Sequence, residues 1–339
     1  MKDQIQVIYL SKKYLLKFKN FIKINHSKTH ILSKSDKLIN WLYKDQKHYN
    51  FALAINDHKI AGVQGYVPFS KFDRKLKDTC FLSYWRVNNS MIPGIGLKLF
   101  DKIKSQNYKF LAVLGFDEKL SDYHRWQGFK IGKLNHHFLI NKDIKKTKII
   151  KKRFRNKFLK KKFEIIEVNK KNIFKIEDKV FNLQYPTKSK EYILNRYIKN
   201  SFYKYKVYYL KSSQNNIIIV FRKIKLKKTN LLKIVDVIGN NNNIKYTGEA
   251  LQSILKKFNA EYLDLYSYGI NDKNLKFAGF INRYETKEII PDHFEPFENK
   301  NIDINFGYID KKNNNISLFK GDGDMDRPSK IKIKKNKIS

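Results

Sequence analysis

The two halves of this chain echo one another in order and spacing, so whatever fold one half adopts, the other must approximate. Leu38-Ile39-Asn40-Trp41-Leu42-Tyr43 resembles Ile193-Leu194-Asn195-Arg196-Tyr197-Ile198, an offset of 155. After each come two alternating apolar runs, Phe51–Ile55 with Ile60–Val67 and Val207–Leu210 with Ile217–Ile224. Each pair is split by a polar turn, the signature of a hairpin. Phe81–Val87 then matches Leu232–Ile238, Phe110–Leu114 matches Tyr262–Tyr266, and Gln127-Gly128-Phe129 matches Ala278-Gly279-Phe280, at offsets near 151. Between the last two strands of each half lies a helical face. Ile95, Leu99, Phe100 and Ile103 form it in the first half, and Leu251, Ile254, Leu255 and Phe258 keep the i, i+3, i+4, i+7 spacing in the second. The pattern predicts an α/β (α+β) protein of two tandem mixed β-sheet units flanked by helices, each a hairpin followed by a strand–helix–strand crossover.

A length of 339 residues suits two domains. The most basic stretch, Lys142 to Lys162, has no Gly or Pro and lies between strand-like runs. It reads as a solvated connector, an exposed helix or a basic arm. The expected division is a first domain over 1–145, a basic connector over 146–162, a second domain over 163–330 and a basic tail over 331–339. No apolar run has the length of a membrane span, and the first residues lack the apolar block of a secretory signal. Cys80 stands alone, which excludes an intramolecular disulfide and the Cys-rich zinc modules. These features read as a soluble protein of a reducing cytoplasm. The net charge of +40 invites a nucleic-acid partner, but only 9 of the 71 basic residues are Arg, the side chain that reads phosphates and bases with a fork. Lys, Asn and Ile share A/T-rich codons, so base bias accounts for the excess as readily as selection does. Nonspecific attraction to polyanions is the expectation that survives.

Asn89-Ser90-Met91-Ile92-Pro93-Gly94-Ile95-Gly96 lies between a strand and a helix. Gly94 and Gly96 let a ligand approach the backbone, and a helix start offers unpaired N–H groups to an anion. Some 30 residues on, Tyr123-His124-Arg125-Trp126-Gln127-Gly128-Phe129 follows a strand and precedes a strand candidate over Lys130–Ile140. Over roughly Phe51 to Asn141 the chain resembles the GNAT superfamily of acyl-CoA N-acyltransferases. In that family a strand leads into a (Gln/Arg)-x-x-Gly-x-(Gly/Ala) loop that binds the coenzyme A pyrophosphate, and a Tyr-x-x-x-Gly-Phe segment follows. Gly94 and Gly96 fall on the loop's small positions and Gly128-Phe129 on the Gly-Phe; Met91 replaces Gln or Arg, and His124 stands at the Tyr position. The resemblance implies acetyl-CoA as cosubstrate, held by Gly94, Ile95 and Gly96, with the backbone of Arg86 and Val87 facing the thioester. It implies that Tyr84 or Tyr123 assists proton transfer and that His124 protonates the thiolate.

In the second half Gly248 aligns with Gly96, but Asn240–Thr247 has no equivalent of Gly94, so that half is expected to be a degenerate repeat. The arrangement resembles FemAB-type transferases and tandem GNAT proteins, and the C-terminal Phe319–Pro328 is similar to that of tandem forms associated with surface-polysaccharide gene clusters. Asp322, Asp324 and Asp326 alternate, so in an extended backbone their carboxylates face one way and need a cation. A salt-bridged turn, an acceptor-binding loop and a metal site all satisfy that need. Asp236, alone among apolar residues on a probable central strand, is either bonded to a structural Arg or points into a cleft. His26 and His30 read as a solvated pair, and no metal is expected. The expected function is an acyl-CoA-dependent transfer to a small amine, such as an amino sugar or its nucleotide-linked form, with Asp236, Asp322 and Asp324 on the substrate side. Alternatives are a FemAB-like aminoacyl-tRNA-dependent transferase and a non-catalytic polyanion-binding scaffold.

Overall fold

The computed structural model describes residues 5–88, 93–152, 154, 157–226, 229–292, 294–312 and 315–330. The first half forms β1 (Gln6–Leu10), α1 (Leu15–Asn25), α2 (Ile31–Lys34), α3 (Asp36–Leu42), β2 (Tyr49–Asn56), β3 (Lys59–Pro68), β4 (Thr79–Val87), α4 (Ile95–Lys104), β5 (Phe110–Leu114), α5 (Ser121–Trp126), β6 (Lys130–Lys133) and β7 (Asn135–Ile140). The second repeats the series: β8 (Glu164–Val168), α6 (Lys190–Ile193), β9 (Tyr205–Lys211), β10 (Ile217–Lys225), β11 (Asn230–Gly239), α7 (Gly248–Lys257), β12 (Ala260–Tyr268), α8 (Asp272–Phe277), β13 (Ile281–Asn282) and β14 (Asn305–Asp310). A short β15 (Leu318–Phe319) follows. The β2–β3 hairpin turns on Asp57 and His58, both at positive φ, as a two-residue turn with the right twist requires. All four apolar residues of the α4 face are buried, as are Leu251, Ile254 and Leu255 of α7.

The two sheets are not closed by their own halves. One runs β1-β2-β3-β4-β5-β14-β6 and the other β13-β7-β12-β11-β10-β9-β8. β14 enters the first sheet between β5 and β6, pairing Tyr308 with Ala112 and with Lys130. β7 enters the second between β12 and β13, pairing Phe138 with Asp264 and with Ile281. The single strand expected over Lys130–Ile140 is therefore two, broken at Leu134. That residue is fully buried, and its N–H donates to Ile304 O at 2.9 Å as the chain leaves one sheet for the other. A strand's alternation satisfies either sheet equally, so the pattern carried no sign of the exchange.

A shared apolar core follows from this topology. Phe69 of the first half lies 5.5 Å from Phe81 and 4.5 Å from Tyr192 of the second, in a cluster that also holds Phe51, Tyr197, Ile218 and Val235. The described residues of the basic stretch are not helical; their backbone lies along the second half. The carboxylate of Glu261, 1% exposed, accepts N–H bonds from Lys148, Ile149 and Ile150 at 2.7, 2.8 and 2.9 Å. Because each half completes the other's sheet, the full chain should unfold in one calorimetric transition, and 1–145 expressed alone should lack native near-UV dichroism. Two separate transitions would contradict this interlocking.

Candidate active site

Strands β4 and β5 hold each other in parallel only from Thr79–Leu82 against Phe110–Val113. β4 runs on to Val87, and past that pairing the two strands part. A cleft of about 710 Å³ opens between them, lined by His26, Tyr84, Trp85, Arg86, His124 and Arg327 among others. A bulge sets its geometry. Gln64 pairs with Trp85 and Tyr66 with Leu82, so β4 carries one residue more than β3 opposite Gly65. The Gln64 side chain locks the bulge by donating to Ser83 O at 2.9 Å and Gly65 O at 3.1 Å.

Beyond the bulge successive side chains face opposite ways. Tyr84 turns towards α1, its ring 5.6 Å from His26 and 5.0 Å from His30. Trp85 turns towards α4 and α5 and stacks on Tyr123 at 5.3 Å. A Cβ at Gly96 would lie 2.5 Å from the Trp85 ring, so this glycine is required by packing. Arg86 returns to the Tyr84 face and is exposed, while Val87 packs on the α4 side. At the start of α4, Gly94 has φ +86°, and among the described residues no side chain caps the helix and a Cβ there would meet nothing within 4 Å. The first amides of α4 have no intrahelical acceptors, so this open, positively polarised end fits a pyrophosphate. The preceding residues 89–92, Met91 included, lie outside the described residues.

His124, which the family resemblance makes the acid for the thiolate, is buried. It is 4% exposed, packed 4.5 Å from Phe116 and 5.3 Å from Phe129. Burial lowers its pKa to about 4, leaving a neutral ring near pH 7 with no proton to give readily. Tyr123, behind Trp85, has its pKa raised to about 12 by burial and by Asp101. The hydroxyls of Tyr84 and Tyr123 have no hydrogen-bond partner among the described residues.

The aspartates separate. Asp236 and Asp322 are fully buried and lie outside the cleft, each 2.5 Å from the equally buried ammonium of Lys188. The partner of Asp236 is thus a lysine and Tyr197 (2.7 Å), not an arginine, and neither carboxylate is open to a substrate. Burial raises Asp322 to a pKa of about 6, with Lys188 opposing and Asp236 adding to the rise. Asp324 does reach the cleft, but Tyr43 donates to it at 2.9 Å and Arg327 Nε at 2.7 Å. Asp326 accepts from Tyr205 and lies 3.5 Å from Arg196. Each carboxylate thus has its own partner, and among the described residues no cluster of three metal-ligating side chains forms.

This C-terminal segment makes the two repeats unequal. In the second repeat β15 pairs with the end of β12 and Gly321 N donates to Val235 O at 2.7 Å, so the chain itself fills the gap where β11 and β12 part. Val235 is the bulge residue of β11, as Tyr84 lies at the bulge of β4. Phe158 of the connector presses on Gly248 at the α7 start, and Leu159 N bonds Phe277 O at 2.9 Å. The segment then crosses to the first cleft, where Met325 packs over Gly115 and Arg327 lines the wall.

Sequence reasoning missed His26, His30, Tyr43 and Arg327. His30 is 4% exposed rather than solvated, its Nδ1 accepts from Leu32 N, and burial and the Arg327 charge drive its pKa to about 2. His26 faces the cleft with its pKa lowered by burial, Arg86, Arg327 and Lys330. The i, i+4 histidines were visible, but nothing local showed that a strand tyrosine would pack against them.

Compared with solved structures, the chain is similar to a GCN5-related N-acetyltransferase of Anabaena variabilis (TM-score 0.55, 11% identity, 90% of this chain and 72% of that one). It is also similar to one of Kribbella flavida (TM-score 0.54, 7% identity, 90% and 71%) and to a candidate acetyltransferase of Pyrococcus horikoshii (TM-score 0.52, 9% identity, 94% of both). The chain has the GCN5-related N-acetyltransferase fold. No protein-family model matches the sequence, and the search of curated proteins found no match. In this fold the end of β4 and the start of α4 carry Arg86, Val87, Gly94, Ile95 and Gly96, the residues that the sequence resemblance assigned to the acyl donor.

Burial of titratable groups makes the stability sensitive to both Lys188 and His124. Lys188→Met strands two buried carboxylates and should destabilise the protein by about 3–5 kcal/mol in chemical denaturation. For His124 the native pKa lies below the ordinary 6.5, so the unfolded chain takes up a proton that the native state refuses. Its contribution is intact above pH 6.5 and is lost as pH falls towards 4, about 2 kcal/mol at pH 5. His124→Phe should therefore flatten the fall in melting temperature between pH 7 and 5; an unchanged slope would place the titration elsewhere.

Proposed function

We propose that the protein is an acyl-CoA-dependent N-acyltransferase with one working cleft, that of the first repeat. The observation that carries this reading is the contrast between the repeats. Among the described residues, the strand edge and helix start that the second repeat covers with Gly321 and Phe158 have no such cover in the first. Gly94, Ile95 and Gly96 would hold the pyrophosphate through their amides, and the β4 backbone at Arg86 and Val87 would face the acyl group. The bound donor supplies an activated thioester.

The chain's own residues then have two tasks. An amine acceptor arrives as an ammonium and must lose a proton before its nitrogen is nucleophilic. His26, held neutral by its surroundings and open to the cleft, accepts that proton. The Tyr84 hydroxyl beside it, pushed well above its usual pKa and without a partner among the described residues, donates a hydrogen bond to the reacting groups. No strong acid is needed at the leaving sulfur, because a thiol pKa near ~8.5 makes thiolate a competent leaving group near neutrality. His124's neutral, apolar setting is compatible with that.

The acetyl-CoA site can be tested without disturbing the packing of Trp85. Gly94 has open space and positive φ, which Asp tolerates better than most residues. An aspartate there also favours the helix dipole while opposing a phosphate. Gly94→Asp should keep the melting temperature within a few degrees and weaken acetyl-CoA at least about tenfold in calorimetry. The native protein should show one site per chain; two sites, or unchanged affinity in the variant, would overturn the reading.

A further inference from the structure

Resting on that function, we infer that the acceptor is an amine bearing an anionic group, a carboxylate or a phosphate, and that Arg86 and Arg327 recognise it. The two faces of β4 separate donor from acceptor. Trp85 and Val87 turn to α4, whose uncapped start is the place for the donor's pyrophosphate. Tyr84 and Arg86 turn to the opposite face, where His26 and Arg327 stand. The cations on this face are thus on the other side of the strand from the donor's phosphate cradle.

Of the carboxylates of the cleft, Asp324 is paired with a cation and Asp117 is exposed and caps a turn. Asp324 accepts from Tyr43 and Arg327, and Asp117 accepts the Lys119 N–H in a local turn at 3.0 Å. Arg327 is held in place by those contacts and by its bond to Pro328 O at 3.3 Å, which presets its guanidinium at the wall. Arg86 is exposed and has neither an ion pair nor a hydrogen bond among the described residues. A guanidinium fork matches carboxylate and phosphate geometry and repels an ammonium. An acceptor carrying only a positive charge would therefore meet like charge here, whereas one whose anion engages Arg86 presents its amine to His26 and Tyr84. Asp236, Asp322 and Asp324 do not supply the opposite specificity: the first two are sealed with Lys188, and Asp324 and Arg327 balance each other's charge. On this face Arg86 thus carries the charge left unpaired among the described residues, and Arg327 adds its remaining N–H donors.

The test uses the full chain and matched pairs: an α-amino acid with its carboxamide, and an amino sugar with its phosphate monoester. Thermal shift without acetyl-CoA reads binding, and acetyl transfer from acetyl-CoA reads turnover. In at least one pair the anionic member should raise the melting temperature and show at least tenfold higher kcat/KM than its neutral partner. The pair that responds identifies carboxylate or phosphate. Because the donor would meet Arg86 through its backbone alone, Arg86→Met should abolish that preference with acetyl-CoA affinity unchanged, and Arg86→Lys should restore part of it. Equal or better use of the neutral members, no shift with any anionic member, or weakened acetyl-CoA binding in Arg86→Met would each overturn the inference. Absence of acetyl-CoA binding in the native protein, with the anionic preference in thermal shift retained, would instead sink the acyltransferase reading alone.

Discussion

The reciprocal exchange of β7 and β14 is the constraint on which the rest of the structure depends. Each sheet would otherwise end at β5 or β12 with an open edge and with a two- to four-residue strand, β6 or β13, left without its neighbour. A strand from the opposite half closes the ladder on both sides, satisfying backbone groups that a buried edge could not leave bare. The exchange also forces the halves together, so aromatic residues from both meet in one core around Phe69, Phe81 and Tyr192. The relative placement of the two repeats is therefore fixed by hydrogen bonds, and the C-terminal segment can bridge their clefts.

That segment is held by charge in the interior. Arg196, fully buried, donates Nη2 bonds to Gly321 O at 2.9 Å and Gly323 O at 2.7 Å, with Trp41 and Phe72 rings each 5.1 Å from its guanidinium. Lys188 sits between Asp236 of β11 and Asp322 of the segment. Burying such groups is costly and adds little net stability relative to a well-packed apolar set, but it admits one arrangement only. Here the arrangement selects where the chain passes: through the gap of the second repeat and on to the wall of the first. No helix of the described residues is long and apolar enough to cross a membrane.

Much of the fold was legible because duplication doubles every weak signal. The hairpins, the α4 and α7 faces and the paired Gly-Phe segments each looked ordinary alone, and their common offset made them a frame. The strand exchange was not legible, since Leu134 is one more apolar residue in an alternating run whichever sheet follows. The site was legible in part. Gly94 and Gly96 marked the α4 start, yet the sequence could not say that Gly96 answers to Trp85. His124 matched a family position, but its protonation is set by burial against Phe116 and Phe129, on the loops before and after α5. The acidic run invited a shared cation, and the fold gave each aspartate its own partners: Lys188 for Asp322, Tyr43 and the neighbouring Arg327 for Asp324, and Tyr205 with Arg196 for Asp326.

The asymmetry between the repeats explains how a duplicated sheet can specialise without changing its backbone. Both central strands keep the same bulge, at Tyr84 in β4 and at Val235 in β11. In β11 the carbonyl of that residue is taken by Gly321, and a Cβ on Gly321 would lie 2.7 Å from it, so only glycine approaches closely enough. The chain there occupies the gap as an extended ligand would, bonding the strand edge through its own backbone. Phe158 does the same at the helix start, against Gly248. Closing one gap stabilises the scaffold, because covering the strand edge and helix start removes unsatisfied backbone groups from the interior. It also frees the far end of the same segment to furnish Asp324, Met325 and Arg327 to the cleft that stays open. One repeat thus supplies the binding surface, and the other supplies the wall that shapes it.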